Sequence, residues 1–276
     1  MLNPSVLTTV SSLSQAKNRQ SDIWGEIIKE AQTASQEQPV MASFFHSNVL
    51  NHEGFKESIS FYLASLLGSK TIPAMTVQSV FQEAFSHEPM LAEYMLNDLL
   101  AHYTRDAACD QYLIPLLYFK GFHAIQSYRI AHWLWQQERR PLAQYFQHRI
   151  AELFDVDIHP AAQLGSGIML DHATGLVVGE TSVIEDDVSI LHGVTLGGSG
   201  SDRCDRHPKI RRGVLLSAGA KILGNIDIGT GAKIGAGSVV LEDVAAHTTV
   251  AGVPAKQVGR VSTAMPSLDM NHDIDG

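Results

Sequence analysis

A branched aliphatic residue returns at every sixth position through the second half of the chain, without a break from Ile210 to Val240. A period of six fits neither the 3.6 residues of a helical turn nor the two-residue alternation of a half-buried strand. It is typical of a hexapeptide solenoid, in which the chain winds into a triangular prism. We therefore predict that one aliphatic residue per face points inward, at Ile158, Leu164, Leu170, Val178, Ile184, Ile190, Leu196, Ile210, Leu216, Ile222, Ile228, Ile234 and Val240.

An ordinary sandwich of short strands is the alternative, but the unbroken run of repeats disfavours it. Three hexapeptides form one coil of about eighteen residues, and successive coils stack at about 4.8 Å. The repeat is interrupted between Leu170 and Val178 and again between Leu196 and Ile210. Extra residues must leave the prism there as loops, and loops on a solenoid commonly form its binding face.

The part of the chain before the repeat has the pattern of short helices, with apolar clusters separated by breakers such as Pro39, Gly54 and Pro73. We predict an α + β protein in four segments. Residues 1–20, rich in Ser, Thr, Asn and Gln, form a loosely ordered extension. Residues 21–154 form an α-helical domain, 155–260 the parallel β-helix, and 261–276 a flexible tail.

Composition excludes several classes of function. The formal charge of −9 argues against a nucleic-acid or anionic-membrane partner. No apolar run is long enough to span a membrane, and residues 1–20 lack the features of a signal peptide. Two cysteines, Cys109 and Cys204, are too few for a disulfide framework. We expect a cytoplasmic protein.

The first interruption places an acid and a histidine side by side, at Asp171 and His172. Asp157 precedes His172 by fifteen residues, close to one coil, so the two are expected on neighbouring turns. A carboxylate that fixes the imidazole tautomer makes the other ring nitrogen a general base. The alternative is a local turn stabilised by hydrogen bonds from the aspartate side chain.

The second interruption is glycine-rich and basic, with Arg203, Arg206, Lys209, Arg211 and Arg212 in or beside it. Arginine binds carboxylates with two parallel hydrogen bonds, so the cluster indicates an anionic substrate group. A solvated loop with scattered charge is the alternative. Cys204 lies in the same loop, but nothing in the sequence pairs it with a base.

Several motifs together resemble the bacterial serine O-acetyltransferases of the hexapeptide-repeat acyltransferase family. The resemblance covers roughly residues 21–260. Its most specific parts are the segments Asp-His-Ala-Thr-Gly at 171–175 and Asp-Arg-His-Pro-Lys at 205–209. Further similar segments are Asp-Ile-His-Pro at 157–160, Val-Gly-Glu-Thr at 178–181 and Gly-Gly at 197–198.

The resemblance implies a left-handed β-helix and transfer of acetyl from acetyl-CoA to the hydroxyl of L-serine. The products are O-acetylserine and CoA, in the first step of cysteine biosynthesis from serine. Acetyl-CoA is a cosubstrate, and neither a permanent cofactor nor a metal is expected. L-Cysteine is the expected feedback inhibitor. Similar proteins are trimers with active sites between neighbouring prisms, and their helical domains join two trimers into a hexamer.

The resemblance also implies roles for individual residues. His172 is the general base, Asp157 orients it, and His207 stabilises the oxyanion. Asp106 and Asp171 bind the serine ammonium group, and Arg206 binds its carboxylate. The implied CoA contacts are Gly198, Ala218 and Ala236.

Three other functions are compatible with a hexapeptide prism. A sugar or antibiotic O-acetyltransferase has no need for a clamp that binds both ends of an amino acid. A zinc carbonic anhydrase of prism type needs three metal-binding histidines at a spacing that is absent here. A scaffold that regulates a partner enzyme makes no demand on the pairing of Asp157 with His172.

Similar proteins bind O-acetylserine sulfhydrylase through a C-terminal isoleucine. This chain ends in Gly276, and its nearest isoleucine is Ile274. Loss of one buried aliphatic anchor costs about 1.5–3 kcal/mol. We therefore expect this complex to be weak or absent.

Overall fold

The computed structural model describes residues 4–200 and 203–273, and the side chains from Arg19 onward. Predictions that concern residues 1–3, 201–202, Ile274 or Gly276 lie outside the described residues. A helical domain precedes a parallel β-helix of about five coils, as predicted. No helix among the described residues is long and apolar enough to cross a membrane.

In the described part of the chain, eight α-helices precede the prism and a short ninth follows it. They are α1 (Pro4–Glu37), α2 (Ala42–Phe45), α3 (Phe55–Leu67), α4 (Ala74–His87), α5 (Leu91–Arg105), α6 (Leu113–Tyr118), α7 (Lys120–Gln136), α8 (Arg140–Phe154) and α9 (Pro266–Asp269).

Fifteen short strands follow α8 in the described chain. They are β1 (Val156–Ile158), β2 (Gln163–Leu164), β3 (Met169–Leu170), β4 (Leu176–Val178), β5 (Val183–Ile184), β6 (Ser189–Ile190), β7 (Thr195–Gly197), β8 (Lys209–Ile210), β9 (Leu215–Leu216), β10 (Lys221–Leu223), β11 (Asp227–Ile228), β12 (Lys233–Ile234), β13 (Val239–Val240), β14 (Thr248–Gly252) and β15 (Ala255–Arg260).

The strands form the three faces of the prism. Sheet A has the order β1-β4-β7-β10-β13, sheet B the order β11-β8-β5-β2, and sheet C the order β15-β14-β12-β9-β6-β3. All neighbouring pairs are parallel except β14 with β15. Each predicted inward residue occupies a strand, and all but the half-buried Leu164 are buried. The aliphatic core of the prism is therefore the one that the six-residue period predicts.

The helical domain is joined to the first coils by a buried ion pair. Asp98 on α5 accepts hydrogen bonds from Arg129 on α7 at 2.7 and 2.9 Å, and from the backbone N–H of Ile168 at 2.8 Å. Arg129 also donates to the carbonyl of Gly165 at 2.7 Å. If the helices moved away from the prism, the buried charges of Asp98 and Arg129 would lose their contacts with Ile168 and Gly165. Because unpaired buried charges are costly, this network holds the helices on the prism.

Residues 4–20, within the segment predicted as a loosely ordered extension, belong to α1 in the structure. Pro4 occupies the first helical position, where its fixed φ favours initiation. No proline follows it before Glu37, and Ser, Gln and Thr are only mildly unfavourable inside a helix.

The predicted flexible tail, residues 261–276, includes a described segment that contacts the prism. Residues 266–273 lie on the outer face of sheet C: Ser189 donates to the carbonyl of Ser267 at 2.8 Å, and Lys233 donates to the carbonyl of Asp273 at 2.7 Å. Leu215, whose side chain is expected to face outward on this sheet, is fully buried. The two hydrogen bonds hold this segment on sheet C.

Candidate active site

The first loop that leaves the prism adopts a strained turn at His172. His172 and Ala173 both have positive φ, 56° and 62°, in the left-handed region that non-glycine residues seldom adopt. The N–H of Ala173 donates to the carbonyl of Asp171 at 2.6 Å, and the N–H of Thr174 to that of His172 at 2.7 Å. The turn projects the imidazole away from the prism, and the His172 side chain is exposed.

Helix α7 supports this turn. Gly121 lies against it so closely that an added Cβ would be 2.1 Å from the carbonyl oxygen of Leu170. The ammonium group of Lys120 donates to the hydroxyl of Thr174 at 2.5 Å. The helical domain therefore determines where the imidazole of His172 lies.

A cavity of about 520 Å³ brings together three of the predicted site residues, Asp106, Asp171 and His172. Asp106 follows the last residue of α5, and its carboxylate accepts the N–H of Ala108 at 2.8 Å. The Oδ2 atom of Asp171 lies 3.5 Å from the Nε2 atom of His172. Two carboxylates beside an exposed imidazole form a suitable site for an ammonium group next to a general base.

The structure does not place Asp157 beside His172. The register of β1 with β4 sets Asp157 opposite Val177, because the loop at 171–175 lengthens the coil. The carboxylate of Asp157 instead accepts a hydrogen bond from Gln147 on α8 at 2.7 Å. Among the described residues, no hydrogen bond or ion pair joins Asp157 to His172, so this pairing stays a prediction.

His207 lies at a second cluster, where the long insertion returns to sheet B. Its ring is buried, and its Nδ1 atom accepts the backbone N–H of Thr181 at 3.2 Å. Burial lowers the pKa of His207, and the nearby charge of Arg206 lowers it further. The imidazole therefore stays neutral around neutral pH.

Arg206 is oriented by an acid that sequence reasoning missed. Its Nη2 atom lies 2.7 Å from the Oε2 atom of Glu180, and this hydrogen bond lowers the pKa of the Glu180 carboxyl. Lys209 bridges Asp205 and the carbonyl of Thr181, at 2.6 and 2.9 Å. The segment at 178–181 carried part of the resemblance, but only the fold reveals these contacts.

The predicted CoA contacts divide between two corners of the prism. Gly198 is exposed and lies beside His207 and Arg206, at the corner between sheets A and B. Ala218 is half-buried and Ala236 is exposed, at the corner between sheets C and A. Gly219 and Gly237 follow them with φ of +72° and +67°, so backbone rather than bulky side chains lines this corner.

The catalytic candidates divide in the same way. His172 lies at the corner between sheets C and A, next to His192 of the following coil, with ring centroids 5.8 Å apart. His207 lies at the corner between sheets A and B. Among the described residues, no contact joins the two histidines within one chain.

Comparison with known proteins shows which family has this arrangement of fold and site residues. Residues 23–127 match the family described as "Serine acetyltransferase, N-terminal", and residues 207–242 match "Bacterial transferase hexapeptide (six repeats)". The serine acetyltransferase of Escherichia coli K12 is 54% identical over 254 residues, which are 92% of this chain and 93% of that protein. The chain belongs to the serine acetyltransferase family.

Two solved serine acetyltransferases share this fold. One, described as a complex with cysteine, has a TM-score of 0.90 and 52% identity, and covers 92% of this chain and 99% of its own. The other, from Brucella abortus and in complex with coenzyme A, has a TM-score of 0.86 and 50% identity, with 87% and 96% covered. Members of the family thus bind cysteine and coenzyme A, the expected inhibitor and the expected product.

Proposed function

We propose that this serine acetyltransferase transfers acetyl from acetyl-CoA to L-serine by direct attack of the serine hydroxyl. The observation that carries the proposal is the cavity that combines Asp106, Asp171 and the exposed imidazole of His172. Two carboxylates suit the ammonium group of an amino acid. The imidazole of His172 lies beside the position that the hydroxyl of a bound serine would take. The similarity to proteins in complex with cysteine and with coenzyme A supports the same substrates.

In the proposed reaction, His172 removes the proton from the serine hydroxyl as its oxygen attacks the thioester carbonyl carbon. The oxyanion that forms accepts a hydrogen bond from Nε2 of His207. Its collapse breaks the carbon–sulfur bond, and the CoA thiolate takes the proton from the His172 imidazolium. A positioned base contributes typically 10²- to 10⁴-fold, and an oxyanion donor about 10²- to 10³-fold.

Binding roles follow from charge and position. Arg206 would bind the serine carboxylate with the donors that Glu180 does not use, while Glu180 keeps the guanidinium in place. Asp157 would orient His172 after exchanging its contact with Gln147. The attack needs no covalent acyl-enzyme, so Cys204 has no required role in it.

We also propose that the active site forms between two chains of a trimer. In one chain, His172 with Ala218 and Ala236 lies at one corner of the prism, and His207 with Gly198 lies at another. Packing of neighbouring prisms corner to corner would unite both sets. Association of two trimers through the helical domains, and a cytoplasmic location, rest on the resemblance and on the composition.

A coupled assay of CoA-thiol release tests the proposed activity. Release should require L-serine and should be slower with homoserine and absent with a galactoside or without acceptor. His172→Ala should lower kcat by several orders of magnitude, and Asp157→Asn should lower it less. A His172→Ala enzyme with wild-type kcat at saturating serine would exclude His172 as the base.

A further inference from the structure

The hydrogen bonds of the His207 ring identify its tautomer. Nδ1 accepts the backbone N–H of Thr181 at 3.2 Å and lies 2.9 Å from the Thr181 hydroxyl oxygen. A backbone N–H can only donate, so Nδ1 carries no hydrogen. A neutral imidazole has one N–H group, which must then be on Nε2. The single hydrogen of the Thr181 hydroxyl has two acceptors in reach, Nδ1 and the carboxylate of Asp205.

The same hydroxyl oxygen accepts two backbone hydrogen bonds. The N–H of Arg206 lies 3.0 Å from it and the N–H of His207 lies 3.1 Å from it. Thr181 thereby orients the backbone of Arg206 and His207 as well as the His207 ring. These contacts cross the long insertion and tie its end to the β4–β5 corner.

Two glycines pack closely against the Nε2 edge of the ring and leave no room there for a side chain of their own. An added Cβ on Gly179 would lie 2.0 Å from Nε2, and one on Gly198 would lie 3.3 Å from it. Within residues 4–200 and 203–273, no protein atom accepts the hydrogen on Nε2. This hydrogen is therefore available to a ligand.

We propose that Thr181 is a positioning residue that keeps His207 in the Nε2–H tautomer, so that Nε2–H donates to the oxyanion of the acetyl-transfer step. The proposal rests on the proposed function, because it needs His207 to contact the reacting carbonyl. If the hydrogen were on Nδ1, Nε2 would present a lone pair to the oxyanion, and the lone pair and the negative charge would repel each other.

The surroundings of the ring favour the neutral form. A proton added to Nδ1 would face the backbone N–H of Thr181, a donor, and a hydroxyl oxygen that already accepts two backbone N–H groups. Arg206, Lys209 and His159 also disfavour the imidazolium, whereas the carboxylates of Glu180 and Asp205 favour it. His207 is thus suited to donate a hydrogen bond throughout the reaction rather than to take a proton.

Two substitutions at Thr181 test the proposal. Thr181→Val keeps the shape of the side chain but removes the hydroxyl that accepts the N–H groups of Arg206 and His207, so the His207 ring is held less firmly. We expect kcat to fall by roughly 10- to 100-fold, a smaller decrease than complete removal of an oxyanion donor causes. KM for acetyl-CoA should change little. Thr181→Ser restores the hydroxyl and should recover most of kcat. Thr248→Val is the matched control, because among the described residues the Thr248 hydroxyl hydrogen-bonds only to the carbonyl of Ala246, in the last coil.

Wild-type kcat in Thr181→Val, or an effect confined to KM, would overturn the proposal. Neutron diffraction from crystals of the perdeuterated wild-type protein provides a test that does not depend on folding of a variant. Density for deuterium on Nε2 and none on Nδ1 supports the proposal, and the reverse overturns it. If the wild-type protein released no CoA with serine, the proposed function would fail, while the tautomer could still be read.

Discussion

Replacement of Gly179 by alanine should displace the His207 ring while leaving the prism folded. The added Cβ would lie 2.0 Å from both Cδ2 and Nε2 of His207, far inside van der Waals contact. The backbone of Gly179 is not in the left-handed region, so alanine causes no strain of its own there. The ring is the end of a side chain and can rotate away, whereas the strand cannot move.

Rotation of the ring removes its hydrogen bonds to Thr181 and takes Nε2 away from the oxyanion. Loss of one oxyanion donor costs about 10²–10³ in kcat, or about 2.7–4 kcal/mol of transition-state stabilisation. The effect on folding should be small, since overpacking costs about 1–3 kcal/mol only where neighbours cannot move. The lower entropy of the unfolded chain offsets part of it.

The assay is the initial rate of CoA-thiol release at saturating serine and acetyl-CoA, together with the melting temperature. Gly197→Ala is the matched control, because its added Cβ would meet a terminal methyl of Leu223 at 2.9 Å and makes no close contact with His207. We expect Gly197→Ala to retain kcat and Gly179→Ala to lose it at a similar melting temperature. Wild-type kcat in Gly179→Ala would refute the role of His207.

Three further predictions concern other parts of the protein. Gly121→Ala should destabilise the protein by about 1–3 kcal/mol and lower kcat, because the added Cβ clashes with the rigid carbonyl of Leu170 and disturbs the His172 turn. An unchanged melting temperature and an unchanged kcat would show that α7 does not support that turn. L-Cysteine should inhibit competitively with serine, since it presents the same ammonium and carboxylate groups, and Asp106→Ala should weaken inhibition; noncompetitive inhibition unaffected by Asp106→Ala would contradict this site. Burial lowers the pKa of His102 to about 3 and that of His123 to about 4, so the unfolded chain binds more protons below pH 6.5 and stability should fall as pH falls. His102→Leu should reduce this slope by about 1.4 kcal/mol per pH unit between about pH 6 and 4 in denaturant titrations, and an unchanged slope would show that His102 is not buried neutral.

The prism was predictable because its signal is local and repeated. Each inward residue, such as Ile222 or Ile234, lies in the same environment as the residue six positions away, and both are buried. The turn at Asp171 and His172 was also visible, because it interrupts that period. The strain at His172 and its support by Gly121 were not, since they depend on contact with a distant helix.

Contacts across insertions could not be read from spacing. Asp157 was expected beside His172 on a coil of regular length, but the extra residues of the loop shift the register so that Val177 lies opposite it. Thr181 and His207 are 26 positions apart, and the insertion between them hides their relation. Ser189 and Lys233 of sheet C donate hydrogen bonds to backbone carbonyls of the tail, and the composition of the tail does not suggest these contacts.

The central claim is that His172 of one chain and His207 of a neighbouring chain form one active site. Co-expression of His172→Ala and His207→Asn chains tests it most directly, because each variant alone lacks one essential group at every site. Around a mixed trimer, one interface always combines the intact His172 of one variant with the intact His207 of the other.

With equal expression and random assembly, the unfractionated pool should have about a quarter of the wild-type kcat per trimer, because about three quarters of the trimers are mixed and each of these has one intact site in three. The separately purified variants, mixed without exchange of subunits, should stay inactive and serve as the control. Mixed trimers that are as inactive as the parent variants would show that both histidines act within one chain, and would contradict the account.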